Sequence, residues 1–313
     1  MDYVQQAYKG HTKFWMFLFT AAAISGVFIF NFVAYLNTDP SDLEDVYDMM
    51  AQIPPLLNLT INLAPFALLL GALFFLVKFL HERSITSLTT SRQKIDWSRF
   101  RFSFLLVTTI SLVGFVLSYF ADPSQYVLQF DWVKFSMLLL VSLLLFPFQI
   151  GLEEYLFRGY LMQHLGVIVK NKWFPLLFTS LFFGLAHSAN PEVAELGLVT
   201  MVFYIGTGLF LGICTLMDEG IELALGFHLG NNLLAALLVT ADYSALKTDA
   251  IFKLTGESQA TSLTDVLLPI IIYYPILLIV FSKKYGWEHW KNRLTGRVIN
   301  PNNETKNDEA AFH

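Results

Sequence analysis

The chain is 313 residues long, 55% hydrophobic and 14% charged, with a mean hydropathy of +0.54 and a net charge of −5. Twenty basic and 25 acidic residues are too few to coat a soluble surface of this size, where about a quarter of residues are charged. A soluble domain, a disordered chain, a disulfide scaffold and a nucleic-acid binder held by positive charge are all excluded, which leaves a polytopic membrane protein.

Taken in chain order, the apolar residues gather into eight charge-poor windows: 14–36, 54–77, 102–121, 135–158, 173–189, 196–217, 223–241 and 266–282. Each is near the roughly 20 residues that a helix needs to cross the hydrocarbon core. None alternates as a barrel strand would. The fold class expected is all-α, with about eight transmembrane helices. The first window is too long for the h-region of a signal peptide and no small-x-small site follows it, so it reads as a retained anchor. The single cysteine, Cys214, falls in the sixth window and has no partner for an internal disulfide.

Between the windows the charge is unevenly divided. The loop 37–53 holds five acids and no Lys or Arg. Lys9 and Lys13, the six basic residues of 78–101, Lys170 and Lys172, and the tail from Lys283 all fall on one side if the N-terminus is cytoplasmic. The positive-inside rule therefore predicts cytoplasmic N- and C-termini, with the acidic loop 218–222 as a minor dissent. Five segments follow: an anchor helix and acidic loop over 1–53; helices two and three with a basic linker over 54–132; a core over 133–241; an outer loop and last helix over 242–282; and a basic tail over 283–313 that ends as a disordered stretch from about 297.

Charge at membrane depth is costly unless it is paired or faces water. Only three charged residues lie inside the windows, Glu153, Glu154 and Arg158, all in the fourth. Only two of the seven histidines do, His187 in the fifth and His228 in the seventh. Glu154 and Arg158, spaced i,i+4, share a helix face and pair. Glu153 points about 100° away and needs another reason to exist. The turn after the fourth helix centres near Lys170, with Glu153 17 residues before it and His187 17 after, so an antiparallel hairpin brings the two to similar height. His228 and Asn232 share one face of the seventh helix, where Gly226 and Gly230 permit close helix approach.

Two chemistries fit these four groups. In one, Glu153 and His187 deprotonate a water while His228 and Asn232 donate to the oxyanion that forms when it attacks a carbonyl. In the other, Glu153, His187 and His228 hold zinc with an open water position. The H-E-x-x-H signature is absent and Asn232 suits an oxyanion donor better than a zinc ligand, so no cofactor is expected, with zinc as the alternative. A straight fourth helix starting near residue 132 puts Glu153 close to the cytoplasmic surface. It predicts a site opening to the cytoplasm, with Tyr160–Lys172 as a cytoplasmic extension.

Glu153-Glu154-x-x-x-Arg158, Phe183-x-x-x-His187 and His228-x-x-x-Asn232 together resemble the three-motif pattern of the CPBP family. These are the CAAX proteases and bacteriocin-processing enzymes, also called the Abi family of glutamic-type intramembrane proteases. The resemblance covers about 133–240. It implies an intramembrane peptidase in which Glu153 and His187 activate water, His228 and Asn232 form the oxyanion hole, and Glu154 and Arg158 organise the site. The partners it implies are the bilayer and a membrane-associated peptide or protein, lipidated or not, and no nucleic acid. Family members have also been labelled metalloproteases, which leaves the zinc alternative open. The competing readings are a proton-coupled transporter, which would show inverted repeats that the chain lacks, and a non-catalytic scaffold or immunity protein.

Overall fold

The computed structural model describes residues 1–245, 247–255 and 267–301. They form a helical bundle with one small sheet. A 3₁₀ turn, Val4–Lys9, precedes α1 (Phe14–Asn37), α2 (Pro40–Gln52) and α3 (Pro55–Phe75). Next come α4 (Ile85–Thr89), α5 (Trp97–Ala121), α6 (Trp132–Glu153), α7 (Met162–Val169), α8 (Trp173–Leu185) and α9 (Pro191–Leu196). The bundle closes with α10 (Val199–Asp218), α11 (Glu222–Leu238), α12 (Tyr274–Tyr285) and α13 (Trp290–Thr295). Strand β1 (Tyr126–Leu128) pairs antiparallel with β3 (Phe252–Leu254), and β2 (Val239–Thr240) runs parallel to β3 on its other side.

Among the described residues five helices are long and apolar enough to span a bilayer: Phe14–Asn37, Pro55–Leu80, Trp97–Ala121, Trp132–Val169 and Val199–Asp218. The fifth and seventh windows form the shorter α8 and α11, and the eighth runs through a π turn, Pro269–Tyr273, into α12. The bundle carries large apolar side chains on its outside: Leu68 is 79% exposed and Phe120 77%. An apolar coat of that extent belongs against lipid. The chain is thus an integral, multi-pass, all-α membrane protein.

The fourth window departs from the sequence expectation. Its helix does not end near residue 158. It widens into a π turn over Glu154–Leu161 and runs on as α7, a continuous path of 38 residues from Trp132 to Val169. Asp131 caps its start, accepting from the Val133 and Lys134 amides at 2.9 Å. Glu153 therefore sits mid-path, well short of the end reached at Lys170. The predicted cytoplasmic extension Tyr160–Lys172 is mostly buried helix: Tyr160, Gln163 and His164 are each 2% exposed or less. They pack beneath the N-terminal turn and the 81–89 segment, where Gln163 accepts from Arg83 (2.5 Å) and the Tyr160 hydroxyl meets His81 (3.0 Å). The Tyr3 hydroxyl reaches over to the Leu88 carbonyl (2.8 Å).

The helices alternate in direction, so the bundle has two ends. At one end lie the N-terminal turn, the 81–96 segment, Lys170–Lys172, the α10–α11 turn and α13. There Arg92 meets Glu222 (2.7 Å), Lys172 meets Asp2 (2.7 Å), and Arg99 and Arg293 pair with Asp218 and Glu219. The acidic 218–222 loop is thus neutralised by arginines of the basic segments it faces. At the other end lie α2, α9, the sheet and the described residues of 242–245 and 247–250. The residues from 302 onward, including most of the tail expected to be disordered, fall outside the described residues.

Candidate active site

α6, α8, α10 and α11 converge on a cavity of ≈ 930 Å³ that holds Glu153, His187, His228 and Asn232 in its wall. Helix contact makes this possible. Gly208 on α10 lies so near α8 that a Cβ would stand 2.8 Å from the Ser180 carbonyl oxygen. The close helix approach expected at Gly226 is made with α5, where a Cβ would meet the Phe100 carbonyl oxygen at 2.3 Å.

Glu153 ends α6 immediately before the π turn and is 3% exposed. Its Oε1 accepts from the Gln149 amide one turn earlier (2.6 Å). Its Oε2 is buried and accepts no hydrogen bond from the described residues; the nearest cation partner is His228 Nε2 at 3.5 Å. A buried carboxylate oxygen left without a donor is rare, and in the wall of a cavity it marks a place for water or ligand.

Glu154 and Arg158 are fully buried and form the expected i,i+4 pair (2.9 Å). Their partners extend further than a helix-end pair. The Glu154 Oε1 that accepts from Arg158 also accepts from His228 Nδ1 (2.8 Å), and Arg158 Nη2 donates to the Gly208 carbonyl (3.2 Å). The pair therefore bolts α11 and α10 to the π turn and fixes the imidazole of His228, with Nε2 turned toward Glu153.

His187 lies just past the end of α8. Its Nδ1 donates to the Phe183 carbonyl at 2.7 Å, which leaves Nε2 as the ring's acceptor. The ring stacks on Tyr204 of α10 at 4.4 Å. Tyr204 in turn bonds to Glu192, which also accepts from the Ala245 amide (2.8 Å). The hairpin arithmetic places Glu153 and His187 in one cavity wall, but their direct partners differ: Gln149 and His228 for one, Phe183 and Tyr204 for the other. The short α8 explains this, because its helix stops two residues before His187 and the turn carries the ring away along the cavity.

Asn232 donates to Gln149 Oε1 at 3.0 Å. A chain Asn232–Gln149–Glu153 therefore runs from α11 to α6. Gln149 was missed in the sequence because a neutral amide in an apolar run carries no charge signal. Phe183 appears there only as a motif letter. In the structure its ring lies under the Arg158 guanidinium (4.3 Å) and beside both His187 (4.7 Å) and His228 (6.0 Å).

Among the described residues no group of three or more His, Cys, Asp or Glu side chains is placed to hold a metal ion. Of the alternative zinc set, Glu153 and His228 approach each other (3.5 Å), while the contacts of His187 among the described residues are with Phe183 and Tyr204.

The cavity mouth corrects one expectation. Its rim is built by Glu44, Tyr47 and Asp48 of α2, Asn190 and Glu192 at the start of α9, and Asp242, Tyr243 and Lys247. The site therefore opens at the end opposite the basic segments rather than beside them. The straight-helix count failed because the helix continues past Glu153 for another 16 residues.

Residues 134–234 match the family model described as type II CAAX prenyl endopeptidase Rce1-like. The chain is 28% identical over 244 residues to an uncharacterized protein, YyaK, of Bacillus subtilis (strain 168), an overlap covering 74% of this chain and 80% of that protein. No solved structure matches the chain. All four cavity-wall residues of the three motifs, with Glu154 and Arg158, lie inside the segment 134–234 that matches the type II CAAX prenyl endopeptidase Rce1-like model, the same stretch over which the sequence resembles the CPBP family.

Proposed function

We propose that the chain is an intramembrane endopeptidase whose catalytic core is 133–241, cleaving a membrane-associated peptide or protein by metal-independent water activation. Its family supports an intramembrane endopeptidase in general. The observation that carries the finer reading is Glu153 Oε2, a buried carboxylate oxygen without a donor in the wall of a cavity roomy enough for water and an extended peptide.

In this reading Glu153 Oε2 takes a proton from a water that His187 Nε2 also holds by accepting its second hydrogen. The hydroxide adds to the scissile carbonyl carbon. The carbonyl oxygen becomes an oxyanion that accepts from the free amide hydrogen of Asn232 and from Nε2–H of a doubly protonated His228, whose Nδ1–H stays on Glu154. Glu153 returns its proton to the departing amine as the C–N bond breaks. Glu154 and Arg158 act through His228, holding its ring. The cations crowded at the end that carries the N-terminal turn and α13 support cytoplasmic N- and C-termini.

The test is substrate trapping. Glu153→Gln in native membranes should accumulate an uncleaved peptide that wild type processes, and the purified variant should not hydrolyse it. Full hydrolysis by Glu153→Gln sinks the assignment.

A further inference from the structure

We infer that the site is entered from the non-cytoplasmic face and takes a peptide segment bearing Lys or Arg beside the scissile bond. The substrate class rests on the peptidase reading above; the face of entry does not.

The two ends of the bundle differ in charge. Fifteen of the 20 Lys and Arg lie at the end that carries the N-terminal turn and α13, from Lys9 to Arg297. At the cavity end the cations are three, Lys134, Lys247 and Lys253, against eleven Asp and Glu of the described residues. A bias of that size in short loops fixes orientation, because Lys and Arg are retained on the cytoplasmic side. The cavity mouth then faces out, and a tail presented in the cytoplasm would meet the closed, arginine-bridged end.

The mouth itself selects for charge. Glu44 and Asp48 stand four residues apart on α2, so they share the face that also sets Tyr47 over the cavity. Both are exposed and, among the described residues, neither has a hydrogen bond or ion pair. Other rim acids are occupied: Asp242 by Lys247 and Lys253, Glu192 by Tyr204 and the Ala245 amide. Like charges at this spacing weakly oppose the helix they sit on, and a cation arriving between them relieves that repulsion. The unpartnered Oε2 of Glu153 lies in the same cavity wall, which ties the acidic mouth to a ligand-accepting interior. A chain entering past Glu44 and Asp48 places its cationic residue at the rim and its carbonyl deeper, toward Glu153.

Two arms test this. In right-side-out vesicles, Glu44→Cys and Lys94→Cys variants are treated with a membrane-impermeant maleimide; Cys214 is buried, so the parent protein is the unlabelled control. The Glu44→Cys variant is expected to label before lysis and the Lys94→Cys variant only after it, and the reverse pattern overturns the entry face. In the second arm, detergent-purified protein is given quenched-fluorescent peptide libraries of random interior sequence, flanked by Lys or by Glu. Wild type should cleave the Lys-flanked library about tenfold faster at low salt, with the preference shrinking in high salt and lost in Glu44→Lys/Asp48→Lys. Equal rates, or preference for the Glu-flanked library, overturn the substrate class. Hydrolysis of neither library by wild type overturns the peptidase reading and the substrate class together, while the maleimide pattern still decides the face of entry.

Discussion

Glu154 and His228 lie 74 residues apart in sequence and are joined by a 2.8 Å hydrogen bond at a carboxylate oxygen that also takes Arg158 at 2.9 Å. One buried oxygen thus serves a guanidinium and an imidazole, so the pair that stabilises the π turn also aims a site residue. Removing the acid leaves Arg158 buried without its anion, a loss of about 3–5 kcal/mol. Glu154→Ala should therefore lower both the unfolding temperature in detergent and the folded yield. An unchanged melting temperature would remove Glu154 from the structural role given to it here.

Glu153→Gln should behave differently. Gln keeps the shape, and the oxygen it retains can still accept from Gln149, while the base is gone. Hydrolysis should fall by about 10²–10⁴-fold, the range of a positioned general base. The melting temperature should stay with that of wild type. Loss of activity and fold together would mean that Glu153 is a packing residue.

Gln149 predicts an intermediate effect. It donates to Glu153 and accepts from Asn232, touching both halves of the proposed reaction without being a base itself. Gln149→Leu keeps the volume and breaks both bonds. A fall of about 10–100-fold in turnover is expected, typical of a residue that orients another. Substrate KM should change little; a rise in KM at constant kcat would instead make Gln149 a binding residue.

The sequence carried the motif residues because charge is so sparse in the apolar windows that Glu153, Glu154 and Arg158 stand out. Glycine spacing likewise marked α11 for close approach, without naming α5 as its partner. What it did not carry was the depth and direction of the site. The polar residues Tyr160, Gln163 and His164 look like the end of a span when read locally. They are buried because the N-terminal turn and His81–Arg83 fold over them, contacts more than 70 residues apart that no local pattern records. The π turn is equally silent in sequence, and Tyr204 reads as one more aromatic in a helix.

The donor set makes a prediction about metals. Among the described residues no three ligating side chains gather, so a zinc sphere would need His187 Nε2 to swing toward the Glu153–His228 pair. Peptide hydrolysis by the purified protein should persist after dialysis against a strong chelator, and metal analysis should find no stoichiometric zinc. Activity lost to chelator and regained with zinc would sink the water-activation mechanism.

Acid should loosen the sheet beside the cavity mouth before it touches the bundle. Asp242 is held by Lys253 (2.7 Å) and Lys247 (3.0 Å), and the Lys253 hydrogen bond above all keeps its carboxyl below the ordinary carboxylate range. A depressed folded pKa contributes stability that is present above the unfolded value, near 4, and is lost as pH falls through the lower folded value. The Asp242 side chain is 60% exposed, so solvent screens the pair and the effect is local. In lipid nanodiscs, the amides of Phe252–Leu254 should keep constant hydrogen-exchange protection, corrected for intrinsic rate, from pH 7 to about 4.5 and lose it below that. Asp242→Asn should show the lower protection at every pH. A wild-type profile that stays flat through pH 3 would detach β3 from this ion pair.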